Sequence, residues 1–241
     1  MVELAMVILI MTITISLALV IANTSVGRSQ AADNVQQMAL MEANIRRFII
    51  ANNRVPCPDT SNDGVENCDS PASSFGWFPY RSMGLSAQLT DSNGQPLLYG
   101  ASPDLQNPVA VPLAPWDYPS GSLDRFCAAL QGRIDEGFRS DELTVASADS
   151  SSCAAASGAF NPATAMVSGG LSDANGNGDF FDGLNTAAAR NGAICIENPG
   201  RVVSARYDDQ VRVIGHSELH GQMCMQGRDS FDAALWNGGG P

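Results

Sequence analysis

The chain has 241 residues, of which 16% are charged, and a formal net charge of −12. All thirteen basic residues are arginine, so Schiff-base chemistry on lysine, a P-loop lysine and isopeptide crosslinking through lysine are excluded. Residues 1–54 hold Glu3, Asp33 and Glu42 against four arginines, a net of +1, whereas residues 55–241 hold 22 acids against nine arginines, a net of −13. A surface of that sign repels nucleic acid and anionic membranes, and no nucleic-acid partner is expected.

The chain opens with MVELAMVILIMTITISLALVIA, 22 residues with one carboxylate, Glu3, and neither Gly nor Pro. About 20 apolar residues span a bilayer as a helix. A basic leader region and a small-residue cleavage site are both missing, so the run reads as a retained helix rather than a secretory signal. An acid inside such a run is costly and asks for a partner. From Asn23 to Asn53 there is no Pro, and Gly27 is the only Gly. Val35, Met38, Met41 or Glu42, Ile45, Phe48 and Ile49 recur at helical spacing, with Arg46 and Arg47 off the stripe. One helix of about 53 residues, roughly 80 Å long, is predicted. It is apolar all round over 1–22 and amphipathic over 23–54, and it ends near Asn52–Asn53 before the extended Val55-Pro56.

Residues 55–241 read as one globular head. Residues 56–125 are rich in Pro, Gly, Ser, Asn and Asp, with short apolar pieces at FGWFPY (75–80) and PLLYG (96–100). Leu123–Leu130 reads as a short helix and 147–159 as a surface loop or a helix through its alanine run, with the serine-rich part 147–152 able to carry O-linked glycans. Residues 193–217 carry three β-branched runs separated by Asn198-Pro199-Gly200 and Asp208-Asp209, and an antiparallel meander is predicted there. The tail DSFDAALWNGGGP reads as one helical turn and an end without structure. All six cysteines lie after the apolar run, and their even number in a loop-rich head suits disulfides in an oxidising compartment. Six cysteines allow fifteen pairings. Proximity favours Cys57–Cys68, and Cys127–Cys153 with Cys195–Cys224 completes the set.

VELAMVILI (Val2 to Ile10) resembles the mature start of type IV pilins and of the pseudopilins of type II secretion. RVPCPDTSNDGVENC (54–68) and GWFPYRSMGL (76–85) resemble a segment that follows the helix in some larger pilin-like proteins. The resemblance covers about a third of the chain and implies an α+β, type IV pilin-like fold: a long N-terminal helix packed on an antiparallel sheet, with long disulfide-bonded loops. It also implies a structural role, not an enzyme. Subunits stack into an extracellular homopolymer with their apolar helices in the filament core, and Glu3 pairs with a neighbour's terminal amine, here that of Met1. A prepilin peptidase, a platform protein and an assembly ATPase are the implied partners, with the inner membrane as the station before assembly. Two features depart from the family pattern. The acid is third rather than fifth, and the mid-helix Pro is missing, which puts any melted stretch around 16–28, at Asn23, Ser25 and Gly27. The alternatives are a periplasmic pseudopilin and, in another class, a membrane-tethered periplasmic hydrolase or binding protein.

Two loops carry the spacing of calcium ligands. In DANGNGDFFD (173–182), Asp173, Asn175 and Asn177 alternate, Gly178 gives the turn, and Asp179 and Asp182 add oxygens. The twelfth position is Leu184, where an EF-hand needs Glu. A calcium loop and a polar Asn-Gly turn both fit. A weaker copy has Asp59, Ser61, Asp63 and Gly64 between Cys57 and Cys68. His216, Glu218, His220 and Cys224 give a faint zinc pattern against a reading of two surface imidazoles and an oxidised cysteine. No nucleophile elbow, Walker loop, dinucleotide fingerprint or CxxC is present. No cofactor is required by this reading, and calcium is the one that fits.

Overall fold

The computed structural model describes residues 2–68, 74–107, 122–147, 153–154, 158–186, 195–204 and 206–225; within its helices the side chains at 2–5, 7–9, 18–28, 122, 124 and 225 fall outside that description. Helix α1 (Val2–Asn52) is unbroken, about 76 Å at 1.5 Å per residue. No break occurs around Asn23, Ser25 and Gly27, because one glycine costs about 1 kcal/mol and a long cooperative helix tolerates it. The helix stops at Asn53, whose φ of 53° is left-handed and whose N–H donates to the Ile49 carbonyl at 2.7 Å. Asn adopts that conformation more readily than most residues. Among the described residues, no helix is long and apolar enough to cross a membrane, so the span expected over 1–22 is not found among them.

The head is built on one antiparallel sheet, β1 (Phe75–Trp77), β2 (Leu98–Ala101), β4 (Thr164–Ser168) and β6 (Gln210–Ile214), in the order β1-β2-β4-β6. Its two faces are set by the pleat. Tyr99 and Met166, paired in register, face the stripe Met38, Met41, Ile45 and Ile49 of α1. After the short helix α2 (Pro103–Gln106), helix α3 (Ser122–Glu136) adds Phe126, Ala129 and Leu130 to this core. Val35, at the start of the predicted stripe, is instead exposed. On the opposite face Leu98 and Val167, also a register pair, meet Phe181. There Ala165 meets Leu143, Val145 and Ile196, beside a short parallel pair of β3 (Thr144–Val145) and β5 (Cys195–Ile196). Gly100 makes that second layer fit, since a Cβ at this position would lie 2.6 Å from Leu143 Cδ2.

Polar contacts seat α1 on the head. Glu42 pairs with Arg46 and with Arg212 of β6, both at 2.5 Å. Asn34 is fully buried: its Oδ1 accepts from Ser92 N–H at 2.7 Å and its Nδ2 donates to the Gly170 carbonyl at 3.1 Å.

The meander expected at 193–217 does not form. β5 pairs in parallel with β3, β6 pairs with β4, and Val202 and Val203 are 81% and 66% exposed. The turn at Asn198 does close, with Arg201 N–H donating to the Asn198 carbonyl at 3.0 Å. Arg201 then folds back onto the Glu197 carboxylate and over the Tyr207 ring, which turns the two valines outward. The segment TAMVS of β4, not read as a strand, is the partner β6 finds.

Cys57–Cys68 is formed as expected, but the other four cysteines exchange partners. Cys127 bonds Cys224 and Cys153 bonds Cys195, in place of Cys127–Cys153 and Cys195–Cys224. Packing explains both bonds. Helix α3 lies against α4 (His216–His220) and the π turn Gly221–Met225, which brings Cys127 to Cys224. Thr144 pairs with Cys195 across β3 and β5 while Cys153 Sγ lies 3.7 Å from the Thr144 carbonyl oxygen, which brings Cys153 to Cys195. The tail 226–241, the glycan candidates at 148–152 and most of the alanine run lie outside the described residues.

Candidate metal centre

The weaker loop folds around its own carboxylate. Asp59 is fully buried, and its Oδ1 accepts from Ser61 N–H (2.8 Å), Ser61 Oγ–H (3.0 Å) and Asn62 N–H (2.7 Å). Its Oδ2 accepts from Gly64 N–H at 2.6 Å. Asp63 Oδ1 accepts from Val65 N–H at 2.9 Å. These lone pairs are occupied by the loop itself, which is the structural use of such a sequence. Beside it, Arg54 grips Glu66 with two bonds of 2.8 and 2.6 Å. Burial works to raise the Glu66 carboxyl, but Arg54 and the Cys57 N–H outweigh it and hold the group below its usual range. Cys57, Glu66 and Cys68 come close enough together to suggest a metal cluster, but the two sulfurs are joined and the carboxylate is held by Arg54.

The stronger loop divides in two. Asp173 Oδ1 and Oδ2 accept from Asn177 and Gly178 N–H at 3.1 and 2.7 Å. Asn175 Oδ1 accepts from Asn177 N–H (2.9 Å), and Asn177 Oδ1 accepts from Asp179 N–H (2.7 Å). Asp179 Oδ1 accepts from Phe181 N–H at 3.3 Å. Residues 173–179 are therefore a chain of Asx turns at the surface. Asp182 departs from them. It is fully buried and meets Asp208 and Asp209, with one carboxylate oxygen of each within 4.8 Å of the others.

The three carboxylates are held from different elements. Asp208 and Asp209 lead directly into β6, and Asp182 precedes the 3₁₀ turn Gly183–Asn185. Asp182 accepts from Asn175 N–H and Asp208 N–H, both at 3.2 Å. Asp208 Oδ2 accepts from Leu171 N–H, Ser172 N–H and Ser172 Oγ–H at 2.9–3.0 Å. Asp209 Oδ2 accepts from Asp182 N–H (2.9 Å) and Asn185 Nδ2–H (2.8 Å). The remaining oxygens, Asp208 Oδ1 and Asp209 Oδ1, are buried and have no hydrogen-bond partner. No arginine pairs with any of the three among the described residues. Burial, with Asp182 and Asp208 nearby, pushes the Asp209 carboxyl up to about 8. Burial likewise raises Asp182, with the Asp208 charge adding to it. Among the described residues, Asp182, Asp208 and Asp209 are those that can hold a metal. Only Asp182 was visible in the sequence pattern, and Asp208-Asp209 read as a hairpin turn. The available signal was a pair of acids placed directly before a β-branched run.

Comparison with family models, with curated proteins and with solved structures finds no match. The zinc pattern disperses: Cys224 is oxidised, Glu218 lies 3.4 Å from Arg46, and His216 is buried. Met1 and the Glu3 side chain lie outside the described residues.

Proposed function

We propose that the chain is a type IV pilin-like structural subunit that polymerises through the first half of α1 into an extracellular filament. The observation that carries this reading is the surface of that half. Met6, Ile10, Met11, Ile13, Ile15 and Leu17 are each 58–62% exposed. At 100° per residue, Met6, Ile10, Ile13 and Leu17 form one stripe and Met11 and Ile15 a second, on the far side of the helix. A helix made for one partner needs one stripe. Two stripes on opposite sides suit a helix surrounded by neighbours or by lipid.

The hydroxyls in this stretch are turned inward on the backbone. Thr14 Oγ1 donates to the Ile10 and Met11 carbonyls at 3.0 and 2.9 Å, and Ser16 Oγ to the Thr12 carbonyl at 2.8 Å. Such back-bonding removes polar groups from the helix surface, as an apolar environment demands. In the filament Glu3 opposes a neighbour's terminal amine and so favours one axial register, since a buried carboxylate is tolerable only opposite a cation. Before assembly the same run sits in the inner membrane.

The test is electron cryo-microscopy of material sheared from cells, with amino-terminal mass spectrometry of the same sample. Filaments with residues 1–22 in their core are expected, and Ile13→Asp, on the first stripe, abolishes them while leaving the head folded. Wild-type chain found solely in membrane fractions, with no filament, overturns the reading in favour of a periplasmic pseudopilin or a tethered periplasmic protein.

A further inference from the structure

The carboxylates of Asp182, Asp208 and Asp209 converge in a way the fold does not require. Each of Asp208 and Asp209 has one oxygen fixed by hydrogen bonds and the other buried without a partner. Asp209 is 95% buried by its 5% relative exposure. A carboxylate oxygen left unpaired in such surroundings is costly, and two more negative groups beside it increase that cost. A fourth acid stands nearby from a separate turn. Asp91 is also 5% exposed, its Oδ2 has no partner, and burial, with the Asp208 charge adding to it, raises its carboxyl.

We propose that Asp182, Asp208 and Asp209 bind one calcium ion, which ties the 171–186 segment to the start of β6. The donor set is oxygen only, which selects a hard cation over zinc or copper. The spacing is right for one ion, since two calcium–oxygen bonds of about 2.4 Å span about 4.8 Å. The partnered oxygens supply preorganisation, because backbone N–H groups from Leu171, Ser172, Asp182 and Asp208 fix the carboxylates in place. The Asx-turn residues Asp173, Asn175, Asn177 and Asp179 shape the loop without contributing ligands. This inference does not rest on the filament reading.

The experiment is calorimetric titration of calcium chloride into the full chain in detergent after chelator treatment, with thermal unfolding followed in parallel. One site is expected, and saturating calcium raises the midpoint of unfolding by roughly 5–10 °C. Asp209→Asn weakens calcium binding at least about tenfold, the loss of one charged ligand. The same variant unfolds at a higher temperature than wild type in chelator at about pH 9, where the Asp209 carboxylate is ionised, because the neutral amide relieves the repulsion. A merely structural Asp209 would give the opposite sign. Asp208→Asn serves as the second variant should Asp209→Asn fail to fold, with the same loss of binding expected. Asp179→Asn keeps wild-type affinity. No heat and no shift in wild type at millimolar calcium overturns the proposal, and so does an Asp179→Asn variant that loses binding as fully as Asp209→Asn.

Discussion

His216 begins α4 with its imidazole buried and its Nε2 lacking a partner. Burial, with the positive charge of Arg133 beside it, pushes its pKa down to about 4. The sign follows from linkage. Between pH 6.5 and about 4 the unfolded chain takes up a proton that the folded chain refuses, so stability falls as pH falls through that window. The loss attributable to this residue is about 3 kcal/mol. Urea titrations at pH 7 and pH 4.5 should show this loss in the wild type and a shallower one in His216→Gln. Equal slopes in the two proteins would remove His216 from the account. The same burial corrects the reading of two surface imidazoles: His216 and His220 share a helix, but His216 packs into the core beside a cation. At this scale the sequence offered Asp182 as one of five oxygen donors in a loop that a polar Asn-Gly turn fitted equally well. It was silent on Asp208 and Asp209, because their partner is 26 residues away in the chain (208 − 182) and only the fold brings them together.

Among the elements, α1 was the most legible. Its stripe keeps one period, it has no proline, and an asparagine and then a proline mark its end. The strands were the least legible. FGW, LYGA and TAMVS are three to five residues long, too short for a period of two to stand out from loop sequence. QVRVI was visible as a strand, but its partner is TAMVS, more than forty residues earlier, not the nearer valines. The two longer disulfide pairings failed for the same reason, since they follow long-range packing, whereas Cys57–Cys68 was read from proximity. Cys127–Cys224 closes 97 residues, and a bond over such a span stabilises by about 4.7 kcal/mol on the chain-entropy account. The double variant Cys127→Ser/Cys224→Ser should lose stability on that order. Its amides at 216–220 should exchange faster with solvent, while those at 38–49 stay protected by the sheet. Equal acceleration in both segments would mean that the bond holds the whole head rather than the α3–α4 contact.

At the scale of the molecule, the head and the first half of α1 divide the work. The first buried residue along the described part of the helix is Asn34, and the apolar stripe into the core runs from Met38 to Ile49. A chain beginning at Gln30 should therefore unfold within roughly 2 °C of the full chain, since residues without native contacts contribute little to stability. It should stay monomeric in sedimentation, without detergent. A midpoint lower by 10 °C would show that the removed turns are part of the folded core. The acidic head, at −13 over residues 55–241 against +1 over 1–54, keeps such a chain soluble and works against side-by-side aggregation.

Asn34 also has a mechanical meaning. Among the described residues, tension applied along the first half of α1 first meets the head at this residue, where Ser92 and Gly170 clasp one amide from two loops. Gly170 is followed by Leu171 and Ser172, whose N–H groups hold Asp208. Gly170 itself, at φ 73°, leaves no room for a side chain against that carboxylate. The pulled helix is thus linked by three consecutive residues to the strand that carries Arg212, which grips Glu42 two turns further along the same helix. Load entering at one point on α1 returns to it at another, so the clasp is a closed loop of force in which the helix and the sheet must yield together.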